Sequence, residues 1–253
     1  MPERKHIYFA SDFHFGTPNN AASRIREDAV IRWLDEISVN AAEIYLVGDV
    51  FDFWFEYKHA VPRGFSRFLG KIAALVDSGI KVTFFKGNHD MWMFDYFPEE
   101  LGVTVVSDEL VITRNGKKFY IHHGDGLGPG DTRYKILKKI FRSGFCQWLF
   151  ARIHPNLGIA IATKWSRKSR ASQLPKHTAY FGDDYEWLAI YSRELLKKEH
   201  FDYFIFGHRH LPIDLSISGS RYINLGEWLN CRSYAVFDGE TVTLKYFEPS
   251  PVQ

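Results

Sequence analysis

Five short clusters of Asp, Asn and His are the part of this sequence most able to carry chemistry. Imidazole and carboxylate groups are common protein ligands of Mn, Fe and Zn, and an amide oxygen suits the harder of these ions. The clusters are Asp12 with His14, Asp49 with Asp52, Asn88 with His89 and Asp90, His122 with His123, and His208 with His210. Their side chains would form a metal site if the fold brought the clusters together.

Taken one at a time, these clusters have ordinary explanations. A lone Asp-x-His pair rarely binds metal, Gly48-Asp49 is typical of a turn, and His122 with His123 could be a packed pair near a strand end. Together they are much harder to attribute to chance, because each follows a short apolar run. Glycines adjoin most of the clusters, and glycine permits the tight or left-handed backbone that turns both members of an i, i+2 pair toward one ion.

The elements that must position the clusters alternate between strand and helix. Short runs of apolar, aromatic or β-branched residues precede the clusters and predict buried strands. Residues 25–39 and 65–76 have apolar side chains every three or four positions, which predicts helices between the strands. The alternation predicts a layered α/β fold with ligands at the carboxyl ends of the strands. We expect a single domain over residues 1–253.

Residues 130–182 break this pattern and predict a basic, aromatic-rich insertion built as a pair of helical segments. Residues 132–182 hold eleven Lys and Arg residues and no Asp or Glu, although the net charge of the whole chain is only +2. Such asymmetry favours an anionic partner for the segment. The segment could instead be a solvated helix pair with a buried stripe, or it could grip a nucleic-acid backbone. Its regular apolar face argues against nucleic acid.

Cysteine usage and the start of the chain predict a soluble cytoplasmic protein. Cys146 and Cys231 match no metal or redox spacing and are too few for a disulfide framework. No signal peptide is predicted, because a strand-like run begins at His6. No apolar stretch approaches the roughly 18 residues that a membrane-spanning helix needs.

In their types and order, the clusters resemble those of the calcineurin-like metallophosphoesterases, and the resemblance extends from Asp12 to His210. It implies a four-layer αββα sandwich with two divalent metal ions at the carboxyl ends of the strands. It also implies that His89 acts as general acid or binds phosphate, with Asp52 holding its ring. The implied ligands of one metal are Asp12, His14, Asp49 and His210, and those of the other are Asp49, Asn88, His123 and His208.

A narrower resemblance, to the UDP-2,3-diacylglucosamine hydrolases of lipid A biosynthesis, rests on residues 48–54, 123–125 and 207–212 and on the insertion. It implies that water cleaves a pyrophosphate to give UMP and a diacylglucosamine 1-phosphate, with Mn²⁺ as the usual metal and Fe or Zn as alternatives. It further implies a peripheral protein that acts at the cytoplasmic face of the inner membrane. The implied substrate-binding residues are Asn88, His89, Lys164, Arg167, Lys168 and Arg170.

One position departs from the narrower family. Its best-known branch has Arg where this chain has His89, so another phosphodiesterase, pyrophosphatase or nuclease of the superfamily stays open as the function. A scaffold protein without turnover is a different class, and such proteins usually lose metal ligands. All seven implied ligand positions are filled in this chain, which favours an enzyme.

Overall fold

The computed structural model describes residues 4–129, 132–178, 180 and 182–248, and of residues 167, 168 and 170–178 it describes the backbone alone. Strands and helices alternate through most of the chain. The strands are β1 His6–Ala10, β2 Ala41–Leu46, β3 Lys81–Phe85, β4 Thr104–Val106, β5 Leu110–Arg114, β6 Lys117–His122, β7 Tyr203–Phe206, β8 Pro212–Ile217, β9 Ser220–Leu225, β10 Ser233–Phe237 and β11 Val242–Tyr246. The helices are α1 Asn20–Ile37, α2 Ser66–Asp77, α3 Tyr96–Leu101, α4 Thr132–Arg142, α5 Gly144–Phe150, α6 Pro155–Thr178 and α7 Trp187–Leu196.

Within the described residues the strands form two mixed sheets. The first sheet has the order β11-β10-β1-β2-β3-β4, and the second has the order β5-β6-β7-β9-β8. Strands β1 to β4 run parallel, as do β6, β7 and β9, whereas the other pairs are antiparallel. The carboxyl ends of β1, β2 and β3 therefore meet at one edge of the first sheet, and those of β6 and β7 meet at one edge of the second.

Buried side chains separate four layers of structure. Phe9 and Tyr45 on one face of the first sheet pack with Phe119 and Ile223 of the second sheet. The opposite face of the first sheet, which includes Leu46, packs against α1, α2 and α3. Helix α7 covers the outer face of the second sheet. These layers confirm the predicted αββα sandwich, because each sheet buries one face against the other sheet and one face against helices.

Helices α4, α5 and α6 occupy the chain between β6 and β7. The sequence predicts a pair of helical segments in this region, whereas the structure has three helices. Helix α4 ends at Arg142, and the Ser143 hydroxyl caps a separate helix, α5, by accepting a hydrogen bond from Cys146 N at 3.2 Å. Trp92 holds this segment to the loop after β3, since its indole donates to the carbonyl of Phe141 at 2.8 Å. In the described part of the chain, no helix has both the length and the apolar character needed to cross a membrane.

Candidate active site

The predicted metal ligands all follow the carboxyl ends of central strands. They are Asp12 and His14 after β1, Asp49 after β2, Asn88 after β3, His123 after β6, and His208 and His210 after β7. Two groups that share Asp49 have ligand atoms that all lie within 4.8 Å of one another, namely Asp12, His14, Asp49 and His210 in one, and Asp49, His123 and His208 in the other. A third group with atoms equally close consists of His14, Asp52 and His89. The fold thus brings together residues from distant parts of the sequence, with Asp49 common to the first two groups.

The carboxylate of Asp49 lies between the two groups. Its Oδ2 is 3.7 Å from Nε2 of His14 and 3.4 Å from Nε2 of His123. In the first group, Nε2 of His210 is 3.2 Å from Oδ1 of Asp12 and 3.1 Å from Nε2 of His14. Ring nitrogens and carboxylate oxygens that face one another across such gaps form a donor set suited to divalent cations.

The charge of the site also suits cations. Burial opposes ionisation of Asp12 and Asp49, but the neighbouring histidines outweigh it and hold both pKa values below the ordinary range. Burial lowers the pKa of His14 to about 3, so this ring is neutral and has a lone pair to offer. Burial also opposes the charged form of His123, yet Asp49 and other carboxylates raise its pKa to about 10. The same carboxylate field would attract a metal ion in place of that proton.

An unusual backbone conformation orients these side chains. Five of the ligand positions have positive φ, between 46° and 68°, namely Asp12, His14, Asp49, His208 and His210. For a residue with a side chain this conformation costs on the order of 1–3 kcal/mol, and it persists only where the surrounding structure enforces it. At Gly207 the reason for glycine is steric, because a Cβ at this position would lie 2.7 Å from Oδ2 of Asp12. The two loops approach each other too closely there for any side chain.

Arg26 of α1 holds the loop that carries the first cluster. Its buried guanidinium donates to the carbonyl oxygens of Phe13 at 2.5 Å, His14 at 2.6 Å and Thr17 at 2.6 Å. A planar fork of five N–H donors can serve several carbonyls at once, which a lysine ammonium cannot do with the same geometry. Arg26 therefore stabilises the left-handed backbone at His14.

Replacing Arg26 by Lys should loosen this loop and weaken metal binding. Carbonyls that lose their donors stay buried, so we expect the free energy of unfolding to fall by about 3 kcal/mol and the affinity for Mn²⁺ to fall about tenfold. Thermal unfolding and isothermal titration with Mn²⁺ would measure the two effects. Arg24→Lys on the same helix is the matched control, since Arg24 is more exposed and pairs with Glu27. Equal losses in the two variants would contradict this role of Arg26.

Asp90 joins the loops that follow β2 and β3. Its buried carboxylate accepts hydrogen bonds from the backbone N–H groups of Gly87 and Val50 at 2.8 Å, Phe51 at 3.2 Å and Asp49 at 3.3 Å. Burial, reinforced by the Asp49 carboxylate, raises the pKa of Asp90 to about 7. Because its carboxylate accepts hydrogen bonds from both loops, Asp90 fixes the distance between the second and third clusters.

The two adjacent histidines after β6 make different contacts. His123 donates from Nδ1 to the carbonyl of Val47 at 2.8 Å, and its Nε2 lies 3.3 Å from Oδ1 of Asn88. This hydrogen bond selects the tautomer whose Nε2 lone pair can bind a metal. His122 instead accepts a hydrogen bond from the N–H of Gly124 at 2.7 Å, and burial lowers its pKa to about 4. His122 is therefore a neutral residue that supports the turn.

His89 lies beside the first group, with its ring edge-on to that of His14 at a centroid distance of 4.9 Å. Asp52 contacts this ring mainly through its backbone, because its carbonyl oxygen is 3.2 Å from Nδ1 whereas its carboxylate oxygen is 3.8 Å away. A shorter contact, 2.7 Å, joins Nδ1 to the hydroxyl of Ser166 on α6. Sequence reasoning missed Ser166, since a serine inside a helical stretch has no ligand spacing that could mark it.

An apolar cavity of about 490 Å³ borders Asn88 and His89. Its aromatic and aliphatic lining comes from the loops of the first sheet and from α4, α5 and α6, and includes Phe53, Trp92, Leu137, Phe141, Phe150, Ile161 and Trp165. Of the other residues expected to bind substrate, Lys164 is exposed on α6. The side chains of Arg167, Lys168 and Arg170 lie outside the described residues.

Two ion pairs lie close to the predicted ligands, one on α4 and one at the start of α7. In the first, Asp125 binds Nζ of Lys138 at 2.7 Å and the hydroxyl of Tyr134 at 2.5 Å. In the second, Glu186 binds the guanidinium of Arg209 at 2.9 Å, and both side chains are almost fully buried. Helix α4 is thereby tied to the loop after β6, and the start of α7 is tied to the loop after β7.

Comparison with known proteins defines the class. Residues 5–212 match the calcineurin-like phosphoesterases, and the chain belongs to this family. The protein is a metal-dependent hydrolase with a potential divalent metal site of Asp and His residues.

Individual relatives resemble the chain along most of its length. It is 39% identical to UDP-2,3-diacylglucosamine hydrolase from Porphyromonas gingivalis, over 97% of this chain and 98% of that one. It is 29% identical to UDP-2,3-diacylglucosamine hydrolase from Aeromonas salmonicida, over 90% of this chain and 88% of that one. Among solved structures, it aligns with Yfce, a phosphoesterase from E. coli, over 96% of this chain and 93% of that one, with a TM-score of 0.48 and 13% identity.

Proposed function

We propose that this protein hydrolyses the pyrophosphate bond of UDP-2,3-diacylglucosamine and releases UMP and 2,3-diacylglucosamine 1-phosphate. The observation that carries the proposal is the apolar cavity, because its border with Asn88 and His89 puts lipid-binding surface beside the phosphate end of the site. Two relatives that align along nearly the whole chain are named UDP-2,3-diacylglucosamine hydrolase, which supports the same substrate for this protein.

The proposed cofactor is a pair of divalent metal ions, with Mn²⁺ as the native metal and Fe or Zn as competitors. One ion has the ligands Asp12, His14, Asp49 and His210, and the other has Asp49, Asn88, His123 and His208. The position of Asp49, within 4 Å of a ring nitrogen in each group, supports its role as the bridging ligand. Two ions held by these residues would bind phosphoryl oxygens, activate a water and stabilise the charge of an in-line displacement.

His89 binds an oxygen of the pyrophosphate in this proposal. With Nδ1 occupied by Ser166 and the Asp52 carbonyl, Nε2 is the ring nitrogen that can reach the substrate. A phosphate leaving group has a second pKa near 6, so it departs readily at neutral pH and needs little protonation. For this substrate, phosphate binding therefore matters more than general acid catalysis, which would be needed for an ester with a poor leaving group.

The cavity lining suits acyl chains. Each methylene group that moves from water into an apolar site contributes about 0.8 kcal/mol, so a chain of several carbons gains substantial affinity from such a lining. Polar residues in the lining include Asn88, His89 and Ser166. A mainly apolar lining that also includes polar residues of the candidate site matches an acylated sugar phosphate.

Introducing a charge into the cavity should separate lipid substrates from small ones. Leu137→Arg would oppose acyl-chain burial, so we expect KM for UDP-2,3-diacylglucosamine to rise about tenfold or more. Hydrolysis of a nitrophenyl phosphodiester should change little, because that substrate lacks the chains. Ile136→Arg is the matched control, since Ile136 adjoins Leu137 on α4 and is 55% exposed. If Leu137→Arg slows both substrates alike, the cavity supports the fold and does not bind lipid.

The outer face of the same segment suits a membrane surface. Phe145, Trp148 and Leu149 of α5 are more than half exposed, and the guanidinium of Arg152 lies 4.8 Å from the Trp148 ring. Helices that combine exposed aromatic or Leu side chains with cationic ones are typical of proteins that bind at the lipid head groups. We include peripheral attachment to the cytoplasmic face of the inner membrane in the proposal. The cations that would contact substrate phosphates or anionic head groups are Lys164, Arg167, Lys168 and Arg170.

A further inference from the structure

The contact between Ser166 and His89 joins two parts of the chain that are 77 residues apart. Ser166 lies on α6, in the segment between β6 and β7, whereas His89 follows β3. The Ser166 hydroxyl is buried and donates to the carbonyl of Asp52 at 2.8 Å, and its oxygen is 2.7 Å from Nδ1 of His89. The three groups thus form one compact hydrogen-bonded unit beside the predicted ligands.

The chemistry of this unit determines whether Nδ1 of His89 donates or accepts a hydrogen bond. A hydroxyl has a single hydrogen, and Ser166 gives it to the Asp52 carbonyl. Its oxygen can therefore only accept from Nδ1, and the Asp52 carbonyl, 3.2 Å from the same nitrogen, can also only accept. Nδ1 must be a donor, so Nε2 is the ring nitrogen left to face the substrate. Because a phosphate oxygen only accepts hydrogen bonds, Nε2 must also have a proton when it binds one.

We propose that Ser166 is a positioning residue that fixes the ring orientation of His89 for phosphate binding. The inference rests on the proposed role of His89 and extends it to the α4–α6 segment. Helix α6 also lines the cavity through Ile161, Ala162 and Trp165. Helix α6 would therefore contact the acyl chains and would also hold the His89 ring that contacts the phosphate. The position of this helix would affect the binding of both ends of the substrate.

Ser166→Ala tests this inference, with Ser192→Ala as the matched control. Ser192 is a buried helical serine whose hydroxyl donates to the carbonyl of Leu188 on α7, so its removal deletes a similar hydrogen bond elsewhere. We expect kcat of the Ser166 variant to fall about tenfold with KM changed less than about twofold, because orientation in the transition state is lost and ground-state contacts remain. The control should stay near wild type.

A spectroscopic readout distinguishes positioning from a general structural role. In ¹⁵N spectra of the Zn²⁺-loaded protein, which is diamagnetic, Nδ1 of His89 should give the signal of a protonated, hydrogen-bonded nitrogen. In Ser166→Ala this signal should shift or broaden as the ring loses its fixed orientation, and in Ser192→Ala it should match wild type. An unchanged kcat overturns the proposal, whatever the spectrum shows. A rise in KM with unchanged kcat overturns it too, since Ser166 would then contact only the substrate.

The test remains informative if the proposed function is wrong. Kinetics are measured with both UDP-2,3-diacylglucosamine and a nitrophenyl phosphodiester. If wild-type protein hydrolyses only the diester, the lipid substrate is excluded, and kcat for the diester together with the His89 spectrum still decides the role of Ser166. If the diacyl substrate is hydrolysed and Ser166→Ala matches wild type, the function stands and the positioning role is excluded.

Discussion

Asp49→Ala will reduce kcat/KM by at least about 10³-fold, the largest effect expected of any single substitution in this protein. The Asp49 carboxylate is within 4 Å of ring nitrogens in both ligand groups, so its loss removes a ligand from each proposed metal. Its Oδ1 also accepts a hydrogen bond from the N–H of His89 at 2.9 Å, which holds the third cluster in place. Activity assays and metal analysis by mass spectrometry would measure the loss of turnover and of bound metal together.

The control for this substitution is Asp35→Ala. Asp35 is 61% exposed on α1 and pairs with Lys71, so its removal tests the loss of a carboxylate away from the site. Surface ion pairs of this kind contribute about 0–1 kcal/mol, and the control should therefore retain activity and metal. If Asp49→Ala keeps near-normal turnover with metal bound, the two-metal interpretation is wrong.

His89→Ala should reduce turnover by about 100-fold while the metal content stays close to that of wild type. The expectation follows from the position of His89, since its Nδ1 contacts Ser166 and the Asp52 backbone. His89 belongs to neither group that contains Asp49, although its ring lies close to His14 and Asp52. A side chain that binds substrate phosphate stabilises the reaction without holding the ions. The measurement pairs steady-state kinetics with metal analysis of the same sample.

His200→Ala, at an exposed histidine that precedes β7, provides the comparison. It should match wild type in both turnover and metal content. Equal losses of turnover and metal in His89→Ala would assign the residue to the metal ligands or to the fold. That result would also remove the basis for a positioning role of Ser166.

The layered fold and the composition of the site could be predicted from the sequence because their signals are local. A short apolar run ending in polar residues marks both a buried strand and the end of that strand at which ligands collect. Asp12 and His123 lie more than a hundred residues apart, yet each is identified by its own strand. The parallel arrangement of the central strands then brings the clusters to one side of the molecule.

The supporting contacts could not be predicted, because they depend on how distant elements pack. Arg26 looks like an ordinary helix residue, and only the fold reveals that its guanidinium reaches the carbonyls of three loop residues. Ser166 is similar, since its contact with His89 requires the position of α6 over the loop after β3. The left-handed backbone was expected from the neighbouring glycines, but five ligand residues adopt it themselves. That strain is enforced by tertiary contacts with no sequence pattern.

The cations predicted to contact substrate show which features local sequence signals cannot assign. The basic character of residues 132–182 indicates an anionic partner, but composition does not assign individual contacts to Lys164, Arg167, Lys168 or Arg170. Helical spacing predicted an apolar stripe in this segment. It could not predict that part of the stripe, with Leu137 and Phe141, lines a cavity while Phe145 and Trp148 stay exposed. Those four cations therefore stay predictions.

The most direct test of the account is hydrolysis of UDP-2,3-diacylglucosamine with Mn²⁺, measured beside UDP-N-acetylglucosamine and a nitrophenyl phosphodiester. We expect UMP to be released from the diacyl substrate much faster than from the nucleotide sugar that lacks the acyl chains, because only the former fills the apolar cavity. Turnover of the artificial diester without release of UMP from the diacyl substrate would contradict the account, leaving a two-metal phosphoesterase with a different substrate.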